Sequence, residues 1–88
     1  TLFRSGVTGV HKTAGFTTGN YEEAGIKRAL SGRAAETVVM ASQEKINSAS
    51  PFAIGDLALA ATLVVDTELE PEMEAALARQ QVAVIHAD

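Results

Sequence analysis

Three short apolar runs, Thr37-Val38-Val39-Met40, Thr62-Leu63-Val64-Val65 and Val82-Ala83-Val84-Ile85, do most to limit what this chain can become. None alternates apolar with polar residues, so each reads as a strand buried on both faces of a parallel sheet. Helical connections fit between them. Asn20 followed by Glu23 matches a capping pattern, in which Asn20 accepts from the first free amides while Glu22 and Glu23 face the positive helix end. The spacing of Tyr21, Ala24, Gly25, Ile26, Ala29 and Leu30 predicts a helix that Gly32 ends. Pro71, the nearby acids and the face formed by Met73, Leu77 and the alanines predict a second helix up to Gln81. Thr1 to Val10 reads as a short buried strand entering a glycine-rich turn, His11 to Asn20 as a loop, and Ser42 to Ser50 as another. Pro51 to Leu59 reads as a segment with a short helix or turn. The order strand, helix, strand, turn, strand, helix, strand defines an α/β fold with a mostly parallel sheet and flanking helices.

Size and charge narrow the function. With 88 residues, a net charge of -4 and no cysteine, the chain should form one small unit or part of one, without disulfides and suited to the cytoplasm. A chain this short buries a modest share of its surface, so a partner surface is expected. Hydrophobic residues make up 47% and charged residues 20%, which excludes a disordered tail. No apolar run approaches the roughly 18 residues that span a bilayer, so no membrane role is expected. The seven Lys and Arg residues are scattered, so this segment should not grip nucleic acid by itself. Any DNA-binding module is expected outside it.

The residues available for chemistry are few. Thiol nucleophiles and thiolate metal sites are excluded, and His11 and His86 lie far apart with no third ligand at a recognisable spacing. No metal and no cofactor are expected. His11 reads as a solvated loop histidine. No G-x-G-x-x-G or P-loop is present, and Gly6-Val7-Thr8-Gly9 lacks the lysine and the immediate helix of a nucleotide cradle. Gly15-Phe16-Thr17-Thr18-Gly19-Asn20 presents hydroxyls and amides ahead of a helix N-terminus, which suits an anion or a sugar hydroxyl and equally suits a plain capped loop. Glu22 and Glu23 read first as helix-end carboxylates and second as a base or as partners for sugar hydroxyls. Lys45 follows the strand at Thr37 to Met40, near the carboxyl edge where open α/β sheets bind ligands, although by itself it reads as a surface lysine.

The order of these pieces resembles the C-terminal sensor domain of the DeoR family of bacterial transcription regulators. The resemblance is carried by Gly6-Val7-Thr8-Gly9-Val10, Gly15-Phe16-Thr17-Thr18, Tyr21-Glu22-Glu23-Ala24 with Ile26-Lys27-Arg28-Ala29-Leu30, Val38-Val39-Met40-Ala41 with Lys45, and Thr62-Leu63-Val64-Val65-Asp66. It implies a fold similar to ribose-5-phosphate isomerase, glucosamine-6-phosphate deaminase and the CoA-transferases. It also implies an effector-binding domain, of a repressor of carbohydrate metabolism, that senses a phosphorylated sugar or polyol. Operator DNA would be bound by an N-terminal winged-helix domain. Residues 1–88 would then be the second half of the sensor, with its first half and the winged helix outside the chain. Thr17, Thr18, Tyr21, Glu22, Glu23 and Lys45 are the ligand-binding candidates on this resemblance. Glu22 or Glu23 falls where the related isomerases carry an acid/base glutamate. The chain departs from the family pattern at Ser42, where an aspartate is usual, at Ile46 and Asn47, and at Arg4.

Two other functions remain open at this level. One is a sugar-phosphate isomerase or deaminase, with Glu22 or Glu23 as base and Lys45 as phosphate or oxyanion partner. The other is a purely structural oligomerisation segment. A sensor needs no reaction, only a ligand that shifts a population, and homo-oligomerisation is expected of a sheet with an open edge.

Overall fold

The computed structural model describes residues 1–87. Its main sheet holds four parallel strands in the spatial order β1 (Leu2–Gly6), β4 (Glu36–Ala41), β6 (Thr62–Val65) and β7 (Ala83–His86). The α/β fold with a parallel sheet, read from the apolar runs, is the fold observed. A second sheet of three antiparallel strands lies in the order β2 (Gly9–His11), β3 (Gly15–Thr18) and β5 (Phe52–Gly55). The helices are α1 (Tyr21–Arg33) and α2 (Pro71–Arg79), and single 3-10 turns cover Gln43–Lys45 and Leu57–Leu59.

Strand order in the parallel sheet follows the chain, so right-handed crossovers place every connection on the same face. Burial records the result. Ser5, Thr37, Val39, Ala41, Leu63 and Val65 are buried, and the hydrophobic ones join a core with Met73, Ala76 and Leu77 of α2 and Val10, Phe16 and Ile54 of the small sheet. Their alternate neighbours point the other way. Met40 and Ile85 are exposed and Val64 is half-buried, and the register aligns Gly6, Met40, Val64 and Ile85 across the sheet. The expectation of strands buried on both faces is therefore corrected: only the face toward α2 and the small sheet is covered by the described residues.

Three other readings are corrected. The segment His11 to Asn20 contains the β2–β3 hairpin, closed by Gly15 at φ 76° and by His11, whose Nδ1 accepts from the amides of Thr13 and Ala14 at 3.1 and 3.2 Å. The stretch after Pro51 opens with strand β5, which pairs with β3 across a register shift between Phe16 and Thr17, while the short helix or turn read in it is the 3-10 turn Leu57–Leu59. The first and last strands are the two edges of the parallel sheet, so β1 buries only Ser5 and β7 buries nothing fully.

The first helix begins where the capping pattern places it. The Asn20 side chain accepts from the Glu23 amide at 2.9 Å, with Glu22 and Glu23 in the first turn. Replacing Asn20 with alanine should cost about 1 kcal/mol, read as a lower urea midpoint at unchanged slope. A cost below roughly 0.3 kcal/mol would mean that tertiary contacts hold the helix end.

Candidate functional site

The connections after β1 and β4 leave the carboxyl edge of the parallel sheet, and there the chain gathers its polar groups. Lys27 reaches back from the second turn of α1 to donate to the Gly6 carbonyl oxygen, and it pairs with Glu23 at 2.9 Å, one turn earlier on the same helix. Thr8, Thr17, Ser48 and Ser50 form a hydroxyl network that ties three segments together. The Thr8 and Ser50 hydroxyls lie 2.7 Å apart, the Ser50 amide donates to Thr17 Oγ1 at 2.9 Å, and the Ser48 hydroxyl donates to the Thr8 carbonyl at 3.4 Å. Gly9 permits this approach, because a Cβ there would meet Thr17 Oγ1 and the Ser48 carbonyl.

Beside this edge, α1 and β5 enclose a cavity of about 280 Å³ lined by Tyr21, Glu22, Arg28, Pro51 and Phe52, among others. The Tyr21 and Phe52 rings meet edge to face with centroids 5.6 Å apart, forming an aromatic wall. Arg28 lies two turns along the same helix face as Tyr21. Its Nε donates to the Ile54 carbonyl at 3.0 Å and its Nη2 to the Ala53 carbonyl at 2.5 Å. Those bonds fix the guanidinium plane and leave the two Nη1 hydrogens outside them. The cavity thus combines an aromatic surface, a carboxylate that accepts from hydroxyls, and a fixed cation suited to an anion.

The six candidate residues do not share one place. Tyr21 and Glu22 line the α1–β5 cavity, and Glu22 with Glu23 also lines an open groove beside β1. Thr17 and Thr18 are carried inward by β3 and are 2% and 1% exposed, with Thr17 Oγ1 already serving the Ser50 amide. Lys45 closes the 3-10 turn after β4, next to Ile46, which bridges to Val10. It lines neither cavity. Sequence reasoning missed Arg28. The available signal was its position on the Tyr21 face of the helix, but only the unread strand β5 gives that face something to enclose.

Two other carboxylates are perturbed. A hydrogen bond from the Ser42 hydroxyl, at 2.5 Å, holds Glu44 below the ordinary glutamate range. Lys12 does the same to Glu72, tying the β2–β3 hairpin to the start of α2. Both carboxylates are exposed and belong to surface contacts. Among the described residues there is no group of three or more His, Asp or Glu side chains that could hold a metal ion, and no helix long and apolar enough to cross a membrane.

Comparison with known families agrees with this architecture. The model of the DeoR C terminal sensor domain matches residues 2–67, three quarters of the chain. No curated protein matches at a significant level.

Proposed function

Because the chain belongs to the DeoR C-terminal sensor domain family, and is thereby an effector-binding domain of a DeoR-type regulator, we propose that its effector is a phosphorylated sugar or polyol held at the α1–β5 cavity. The observation that carries this reading is the fixed guanidinium of Arg28 facing the same space as Tyr21 and Glu22. A phosphate would take the free N–H groups of Arg28, hydroxyls would donate to Glu22, and the apolar face of the molecule would lie on Tyr21 and Phe52. At about 280 Å³ the cavity lies just below the range usual for small-molecule sites.

Occupancy would act by population shift. A ligand bridging α1 and β5 favours one placement of that helix and passes the preference to a DNA-binding module elsewhere in the cytoplasmic regulator, in the manner of a repressor of carbohydrate genes. The chain would be the C-terminal part of the sensor. The bare face of its parallel sheet supports this, since such sheets are ordinarily covered on both faces. Turnover is not needed for any of these steps, and Glu22 and Glu23 serve as ligand and helix-end groups.

The test is a thermal-shift panel of pentose, hexose and polyol phosphates beside their unphosphorylated parents. A ligand at about 100 times its Kd stabilises by roughly 2.7 kcal/mol, so one phosphate compound should raise the melting temperature by at least several degrees. Arg28→Leu should remove that shift, and should also lower the melting temperature of the free chain because it deletes both bonds to the β5 carbonyls. No shift from any compound, or an equal shift from the unphosphorylated parents, would overturn the reading. Consumption of the bound compound would favour the isomerase or deaminase alternative.

A further inference from the structure

A glycine inside a regular element costs stability, and three glycines of this chain have a visible reason to be there. A Cβ at Gly9 would meet Thr17 and Ser48, one at Gly15 would meet the Gly55 carbonyl, and one at Gly55 would meet the Leu59 side chain. Gly25 has no such reason. It stands in the second turn of α1, its φ is not positive, and an added Cβ would meet nothing within 4 Å. Glycine is the poorest helix former after proline, so this residue weakens the helix that carries it. Nothing among the described residues gains from it.

What Gly25 does border is the α1–β5 cavity. Tyr21, Ala24, Gly25 and Arg28 line that cavity at the spacing of one helix face, with Gly25 between the aromatic wall and the guanidinium. Resting on the effector reading above, we infer that Gly25 is a specificity-determining residue, whose missing side chain sets the length of phosphorylated polyol or sugar that the cavity takes. The bare backbone lets the carbon skeleton of the ligand lie directly on the helix, between the Tyr21 ring and a phosphate at Arg28. The Gly25 amide belongs to the helix ladder, so the contact is made by its Cα hydrogens and suits carbon rather than hydroxyl groups.

Size gives this position its leverage. The cavity holds about 280 Å³, so little room is spare. A methyl group standing between the two ends of the site shortens the span along the helix, and the longest ligand is lost first. Removing the Arg28 cation has a different signature, because every phosphate loses the same partner.

Isothermal titration calorimetry of the chain with glycerol 3-phosphate, ribose 5-phosphate and glucitol 6-phosphate tests the inference, using Gly25→Ala with Gly32→Ala as its control. Gly32 stands in the last turn of the same helix with equally open space at its Cβ, and it lines neither this cavity nor the groove beside β1. Both alanines should raise the melting temperature of the free chain by roughly 2–8 °C, because both relieve a helical glycine. Gly25→Ala alone should weaken binding, about tenfold or more for the longest compound the parent accepts and less for shorter ones. Gly32→Ala should leave every affinity unchanged. Equal affinities in the parent and Gly25→Ala, for a compound whose binding Arg28→Leu abolishes, would overturn the inference and leave the effector reading standing. A Gly25→Ala chain that melts below the parent would also overturn it, since the fold itself would then require the glycine. Failure of all three compounds to bind the parent would sink both.

Discussion

Leu63→Ala should remove a large part of the chain's stability at room temperature. Leu63 is fully buried in β6, an inner strand of the parallel sheet, and belongs to the same core as Met73 and Leu77 of α2. Truncating such a leucine removes its transfer free energy and leaves a void that a strand hydrogen-bonded on both sides cannot close, at a cost of about 2–5 kcal/mol. A domain of this length has a total stability of roughly 4–13 kcal/mol, and small cores lie at the lower end. The loss is therefore comparable with everything that holds the fold. Far-UV circular dichroism and the urea midpoint report it directly. A variant that keeps a cooperative transition and loses less than about 1 kcal/mol would mean that the core repacks around the gap.

The second large effect is expected at Gly15. Its φ of 76° lies in the left-handed region, and a Cβ there would run into the Gly55 carbonyl oxygen while lying 2.7 Å from Asp56 Cα. Both obstacles are backbone, one at the end of the strand that β3 pairs with and one just beyond it, so neither can swing aside as a side chain would. Gly15→Ala should cost about 2–4 kcal/mol, the left-handed conformation supplying roughly 1–2 of it and displacement of β5 the rest. Equilibrium urea unfolding measures the total. Because β5 forms one wall of the α1–β5 cavity, the same variant should weaken any ligand stabilisation seen with the parent chain. A loss under about 1 kcal/mol would show that the β3–β5 pairing yields easily.

The parts of the fold that were legible in the sequence are those where one local signal met one structural role. Asn20 with Glu23 marked the start of α1 because a side-chain cap has few alternatives, and Thr37 to Met40 and Thr62 to Val65 marked inner strands because nothing polar interrupts them. The small sheet was not legible. Its strands have three or four residues, β2 and β3 flank a glycine turn, and Phe52-Ala53-Ile54 after Pro51 carries no alternation to separate it from a helix start. Missing β5 hid the cavity, since Arg28 acquires its two carbonyl partners only when β5 lies against α1. The bare sheet face was hidden for a different reason. Val38, Met40, Val64 and Ile85 are as apolar as their buried neighbours, so the sequence of each strand describes a sheet covered on both sides, whereas the described residues cover one.

The agreement between strand order in space and in sequence bears on how the molecule is made. With β1, β4, β6 and β7 side by side in that order, each strand of the parallel sheet finds its docking edge already synthesised when it emerges from the ribosome. No strand has to wait for, or be inserted between, two others. Assembly can proceed from the amino end one crossover at a time, which limits the interval during which an apolar strand is exposed without a neighbour.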